Sequence, residues 1–289
     1  MPQQMIIESI TPKVAEELLS TMVKNRELSQ LKVVEYAIAM DEGRWSLNGE
    51  TIKIDKQGRL FDGQNRLNAC ILAGKSFRSY VARGIEDENA FSTVDVGKNR
   101  TGGDIFGIAG FANQNVAAGA AMIAYAFKHC SIGWTGPTSR RSHLRKSRVG
   151  ALLDVAPQGS PVSKQELLEW AGTVKDELLS AVRFAGSSKA RRLLGTSTIA
   201  GLFYLFREKD ALQAHEFFEA LGEGAGLAVT DPVLHLRERL QEYKRKTGVK
   251  MSRWYYVGLT IKSWNKRRAG ANVRSLYVAE GESFPAKIE

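Results

Sequence analysis

The chain has 289 residues, 41 Lys or Arg against 31 Asp or Glu, and a formal net charge of +10. That length holds one large domain or two modest ones, and a hydrophobic content of 43% is ordinary for a globular chain. The basic balance favours a polyanionic partner, nucleic acid first and a membrane surface second, although a soluble basic enzyme has the same balance. The two cysteines, Cys70 and Cys130, form no Cys-x-x-Cys pair and join no His/Cys cluster. This argues against a structural zinc site and fits a reducing cytoplasm. No apolar run approaches the roughly 18 residues of a spanning helix, and the start, Met1-Pro2-Gln3-Gln4, lacks the basic-then-apolar shape of a secretion signal. The expectation is a cytoplasmic protein without a membrane partner.

In chain order, Met5 to Ile10 alternates loosely and predicts a first strand. Thr11-Pro12 reads as a cap and first-turn proline, with Val14, Leu18, Leu19 and Val23 on the inner face of the helix that follows. Ser29 is placed to cap a second helix, with Leu31, Val34, Ala37 and Ile38 inward, ending near Glu42-Gly43. Trp45 reads as a core lid rather than a ligand stacker. After turn chemistry at Ser46–Glu50 comes a strand, Thr51–Asp55, and a second turn, Lys56-Gln57-Gly58. A helix is predicted from Gln64 to Ala73, stopped by Gly74, with Cys70 as a small buried apolar group. Phe77 to Ile85 predicts a further strand.

The turn Phe61-Asp62-Gly63-Gln64-Asn65-Arg66-Leu67 opens the Gln64–Ala73 helix. A strand entering a helix this way aims unpaired N–H groups and the positive end of the helix dipole at one spot, which suits an anion. Arg66 adds a forked, permanently charged donor. An ordinary turn with Arg66 in a salt bridge fits the same residues. The string resembles the Asp-Gly-Gln-His-Arg signature of the ParB/sulfiredoxin-like superfamily, over roughly residues 1–105. The resemblance implies that Gly63 and Arg66 contact phosphates of a nucleotide or nucleic acid, with Asp62 as an orienting or metal-linked acid. Asp62 and Arg66 are the catalytic candidates, and Gln64 and Asn65 complete the phosphate-binding set. Asn65 stands where the family has His or Arg. Gln64 stands where sulfiredoxins carry their reactive Cys, which argues against sulfiredoxin chemistry. The Glu-Arg-Arg turn of segregation-type ParB proteins is absent.

A second polar stretch, Phe91 to Asp104, starts as a short strand and becomes a loop. Lys98, Arg100 and Thr101 are candidates to close over phosphates, and Asp95 and Asp104 to hold a divalent metal. A domain connection with solvated charges is the alternative. Its Asp-x-Gly-x-x-Arg-Thr string is similar to one that follows the ParB-like domain in phage and mobile-element proteins.

From about residue 105 the pattern turns helical. Val116 to Phe127 carries Ala117, Ala120, Ala121 and Ala124, suited to close helix packing, and His129 reads as a helix C-terminal charge. Residues 131–162 read as flexible, with Arg140, Arg141, Arg145, Lys146 and Arg148 as a backbone-binding arm or a solvated linker. Ser163 and Glu166 predict a capping box ahead of one helical face running from Leu167 to Val182. Further helices are predicted at 197–206, 211–221 and 233–243. Lys244 to Arg268 is free of acids, with Lys262, Lys266, Arg267 and Arg268 as nucleic-acid contacts and the interleaved Trp254, Tyr255, Tyr256 and Trp264 mainly core.

The expected fold class is α+β: a small ParB/sulfiredoxin-like α/β domain over 1–105, then a mainly α-helical, basic domain over 106–289. The expected function is DNA binding of ParB-like type through a nucleotide- or phosphate-binding turn, with DNA and a nucleotide as partners. The cofactor implied is a nucleoside triphosphate with Mg²⁺, and nucleotide hydrolysis could accompany binding. A metal-dependent nuclease and a non-catalytic regulator are the alternatives.

Overall fold

The computed structural model describes residues 3–22, 28–85, 100–134, 136–140, 162–245, 252–285 and 287–289, with backbone alone at 31 and 136–140. The chain divides into two compact units, Met1–Lys98 with Ser142–Pro161 and Asn99–Arg141 with Val162–Glu289. The division places Arg100, Thr101 and Asp104 in the second unit. The architecture is mixed α+β, with a small four-stranded mixed sheet and predominantly helical structure elsewhere.

The first unit runs β1 (Gln4–Ile10), α1 (Pro12–Ser20), α2 (Gln30–Asp41), β2 (Thr51–Asp55), β3 (Leu60–Asp62), α3 (Gln64–Ala73) and β4 (Phe77–Ile85). Sheet order is β1-β4-β2-β3, with β2 and β4 parallel and the other two pairings antiparallel. Local chemistry explains the element starts. Thr11 Oγ1 accepts from Val14 N at 3.2 Å, ahead of a proline whose missing N–H costs nothing in the first turn. Ser29 occupies the N-cap of α2 but makes no side-chain cap bond there; its own N–H donates to Asn65 Oδ1 at 3.2 Å. Val34, Ala37 and Ile38 turn inward onto Ile52, Ile54, Leu67 and Val81 to form the core. Trp45 lies over this core, edge-on to Tyr36 and Phe77, and Cys70 is fully buried within it.

One element departs from the sequence expectation. Thr51–Asp55 does not feed the helix directly. It first folds back through Lys56–Arg59 onto β3, a three-residue strand too short to show a period. Asp55 fixes the reversal by accepting from Gln57 N, Arg59 N and Arg59 Nε within 2.7–2.9 Å.

The second unit contains α4 (Gly102–Ile108), α5 (Gln114–His129), β5 (Cys130–Gly133), β6 (Gly136–Arg140), α6 (Lys164–Thr173) and α7 (Lys175–Ser187). After a short 3₁₀ turn come α8 (Thr196–Arg207), α9 (Ala211–Glu223), α10 (Pro232–Arg245) and α11 (Arg253–Arg268). The alanine stripe of α5 is fully buried, as its spacing predicts. It meets Gly201 of α8, where an added Cβ would lie 2.9 Å from Ile123 Cβ and 3.0 Å from the Ala120 carbonyl oxygen. Trp264 of α11 stacks on Phe206 at 4.3 Å, so the core assignment of that aromatic holds.

Strands β5 and β6 pair as an antiparallel hairpin at the start of the 131–162 stretch; residues 141–161 of that stretch lie outside the described residues. Two readings differ from the structure. The single face expected from Leu167 to Val182 is broken at Val174, which has φ −127° and ψ 29°. Thr173 Oγ1 bonds back to the Trp170 carbonyl at 2.7 Å, and Asp176 and Glu177 start a new helix at its positive end. Ser163 Oγ accepts from Glu166 N at 3.0 Å, but Glu166 does not close a capping box: its Oε1 accepts from the Tyr125 hydroxyl instead.

Candidate phosphate-binding site

The turn is built by β3 ending at Asp62 and α3 beginning at Gln64. Gly63 is the N-cap and bends the chain with φ +116°, a conformation that side chains rarely adopt. A Cβ there would lie 3.0 Å from Ile52 Cγ1 on β2. The Gly63 carbonyl accepts from both Arg66 N and Leu67 N, at 3.0 and 3.1 Å. This tight first turn swings Arg66 back over β2.

Arg66 is 7% exposed. Its Nη2 donates to the Thr51 carbonyl at 3.0 Å and lies 3.8 Å from Asp62 Oδ1. Its Nη1 is buried and has no hydrogen-bond partner among the described residues. Asp62 is held more closely by Lys53, whose Nζ donates to Oδ2 at 2.7 Å. The acid is therefore a brace between β2 and the turn. Gln64 and Asn65 are 5% and 8% exposed. Asn65 ties the turn to the start of α2 through Ser29, and Asn68 Nδ2 donates to the Gln64 carbonyl at 2.8 Å. The turn gathers Asp62, Gly63, Gln64, Asn65 and Arg66 as the motif implies, but in a covered position. A ligand reaches Nη1 only if part of that cover moves.

The second polar stretch is placed differently from expectation. Helix α4 begins at Gly102, so Thr101 and Asp104 are cap residues, not loop residues. Asp104 N donates to Thr101 Oγ1 at 3.1 Å, while Asp104 Oδ2 accepts from Thr101 N and Thr101 Oγ1 at 2.7 and 2.8 Å. This capping box satisfies the first turn of a glycine-rich helix that would otherwise fray. Arg100 is exposed, and its carbonyl accepts from Lys164 Nζ. Asp95 and Lys98 lie outside the described residues. No group of three His, Cys, Asp or Glu is placed to hold a metal among the described residues. Asp62 Oδ2 accepts from Lys53, and Asp104 Oδ2 accepts from Thr101.

Of the basic candidates, Arg141, Arg145, Lys146 and Arg148 lie outside the described residues, and for Arg140 only backbone is described. On α11, Lys262 Nζ is engaged by both Glu282 oxygens, at 2.6 and 2.7 Å, and by the Tyr277 carbonyl at 2.8 Å. Burial pushes the Glu282 carboxyl upward, but hydrogen bonds from Lys262 Nζ and Ala279 N and the charges of Lys262 and Lys266 outweigh it, and the net shift is downward. Arg268 lies over the Trp264 ring and reaches Gln213 and Asp210. Arg267 buries an Nη1 with no partner among the described residues. Lys266 Nζ makes no hydrogen bond or ion pair among them, and it borders an open groove of about 320 Å³ shared with Val273, Arg274, Ser275 and Tyr277. Sequence reasoning missed this groove. Arg274 stands apart from the basic run and enters it only because the chain after α11 turns back along the helix.

His129 closes the last turn of α5, where its position in the sequence puts it. Burial and the Lys128 ammonium hold its pKa below the usual histidine value, against a smaller pull from Glu166. No helix among the described residues is long and apolar enough to cross a membrane. No family model, curated protein or solved structure matches this chain.

Proposed function

We propose that this chain is a DNA-binding protein of ParB-like type that holds a phosphate of DNA or of a nucleotide at the Asp62–Arg66 turn. The observation that carries the reading is Arg66 Nη1, a buried guanidinium nitrogen without a partner among the described residues, beside a helix N-terminus. A buried donor left unmade costs about 1–3 kcal/mol. An anion entering the turn would recover that cost and would meet the positive end of α3 as well. The net charge of +10 supports the same class of partner. The strand–turn–helix order around Gly63 and the Asp-Gly-Gln-Asn-Arg string support the ParB/sulfiredoxin-like reading of the first unit.

The test is a DNA-binding titration across a salt series, alongside a thermal-shift screen of nucleotides, for the wild type and Arg66→Lys. The lysine keeps a charge near Thr51 and Asp62 but removes the second arm of the fork. Binding should weaken steadily with salt, and Arg66→Lys should lose most of the nucleotide or DNA response. Affinity that stays flat or rises with salt contradicts phosphate contact. Hydrolysis assays on the nucleotide that binds decide whether the site also turns it over.

A further inference from the structure

We infer that the groove beside α11 is a second anion site, one that takes a nucleotide unit: a phosphate between Lys266 and Arg274, and a base against Tyr277. It lies in the second unit and involves none of the Asp62–Arg66 residues. It rests on the nucleic-acid reading only for the class of anion.

The groove encloses about 320 Å³, near the lower bound of ordinary ligand sites. Lys262 and Lys266 are one helical turn apart on α11 and face the same side. Their roles differ. The charge of Lys262 is answered by Glu282 at 2.6 Å, so Lys262 is a wall that pins the 277–282 segment to the helix. Lys266 and Arg274 make no ion pair among the described residues, and Ser275 adds an exposed hydroxyl. Two cations converging on one groove are the electrostatic footprint of a phosphate contact.

Tyr277 gives the site its second chemistry. It is 53% exposed, whereas the other aromatics around α11 are half-buried or buried. Its main chain is fixed by Lys262, and Lys262 Nζ lies 5.9 Å from its ring centroid. An exposed ring on a fixed backbone beside two cations is the pairing that single-stranded nucleic acid and free nucleotides use: backbone on charge, base on ring. A duplex offers no unstacked base and would use only the charges.

Fluorescence anisotropy on the full chain tests this. The probes are a dT strand of about 12 nucleotides, a duplex of matching length, and dTMP as competitor. The variants are Lys266→Ala with Arg274→Ala, Tyr277→Ala, and Arg66→Lys in the other unit. All groove substitutions are at exposed or half-exposed positions, and circular dichroism checks the fold. The double variant should lower single-strand affinity more than about tenfold and reduce the salt slope by about 0.7, the value for one phosphate on a single strand. Tyr277→Ala should lower it about fivefold or more with the slope unchanged, and should spare the duplex. Displacement by dTMP at matching nucleotide concentration assigns the groove to free nucleotides; its failure assigns the groove to single-stranded chain. Unchanged affinity and slope in both groove variants overturns the inference while leaving the Arg66 reading intact. A Tyr277→Ala loss equal on strand and duplex overturns the base contact. If only Arg66→Lys has no effect, the first-unit reading fails and the groove stands.

Discussion

Arg66→Met separates a structural arginine from one held ready for a ligand. The substitution keeps the length and apolar stem of the side chain and removes the guanidinium. Two consequences oppose each other. The charge-assisted bond from Nη2 to the Thr51 carbonyl, 3.0 Å long, is worth about 1.5–3 kcal/mol. Burying Nη1 without a partner costs about 1–3 kcal/mol, and that cost disappears with the group. Asp62 loses its longer contact, 3.8 Å, but keeps Lys53 at 2.7 Å. Thr51 is half-buried, so water can reach its freed carbonyl. The ligand-free protein should therefore lose under about 1 kcal/mol locally, by the near-cancellation of those two terms. Hydrogen exchange of the amides in β2 and α3 is the assay, since it reports local opening in the unit that contains the site. Protection should change less than about fivefold, while phosphate- or nucleotide-induced protection of the same amides disappears. A loss of about 3 kcal/mol or more, the range for a broken buried ion pair, would refute the reasoning and make Arg66 a brace. So would ligand protection that survives the substitution.

Gly63→Ala should destabilise the first unit by about 1–3 kcal/mol or more, because its φ of +116° disfavours a side chain and the new Cβ lies 3.0 Å from Ile52 Cγ1; an unchanged urea midpoint would mean that the turn relaxes freely. Burial pushes the Cys70 thiol up to about 11 from 9.0, so at pH 8 its thiolate is roughly a hundredfold scarcer than in the unfolded chain. Iodoacetamide labelling read by peptide mass spectrometry should show at least that slowing for Cys70, lost in urea. Glu282 has a folded pKa below its ordinary 4.5. Its ionised form therefore stabilises the fold above that value, and the contribution is lost as pH falls through the lower folded value. Melting of Glu282→Gln against wild type should show a gap at neutral pH that closes in acid; a gap independent of pH would separate Glu282 from the Lys262 pairing.

Much of the scaffold was legible because it depends on near neighbours. Thr11-Pro12 and Gly74 mark helix boundaries through bonds or dihedral limits spanning a few residues. The inward face of α2 follows from apolar spacing, and the alanine stripe of α5 from the small volume that close helix packing needs. Other features depended on partners that no spacing reveals. Glu166 carries a capping signature, yet its carboxylate goes to Tyr125, 41 positions away. Thr101 and Asp104 look like loop residues suited to phosphate and metal, but the same two residue types make a helix cap.

The sequence by itself determined the two kinds of unit, the positive charge, and the residues that could meet a phosphate at the turn, because composition and short-range periodicity are properties of the linear chain. Only the tertiary structure decided what those residues face. The bond from Arg66 to Thr51 crosses a hairpin whose short return strand has no period of its own. The groove beside α11 joins Lys266 to Arg274 and Tyr277 through a turn of the chain held by Glu282. Free cations and spent ones look alike in a sequence; which is which follows from where the carboxylates come to rest, and that is settled by packing.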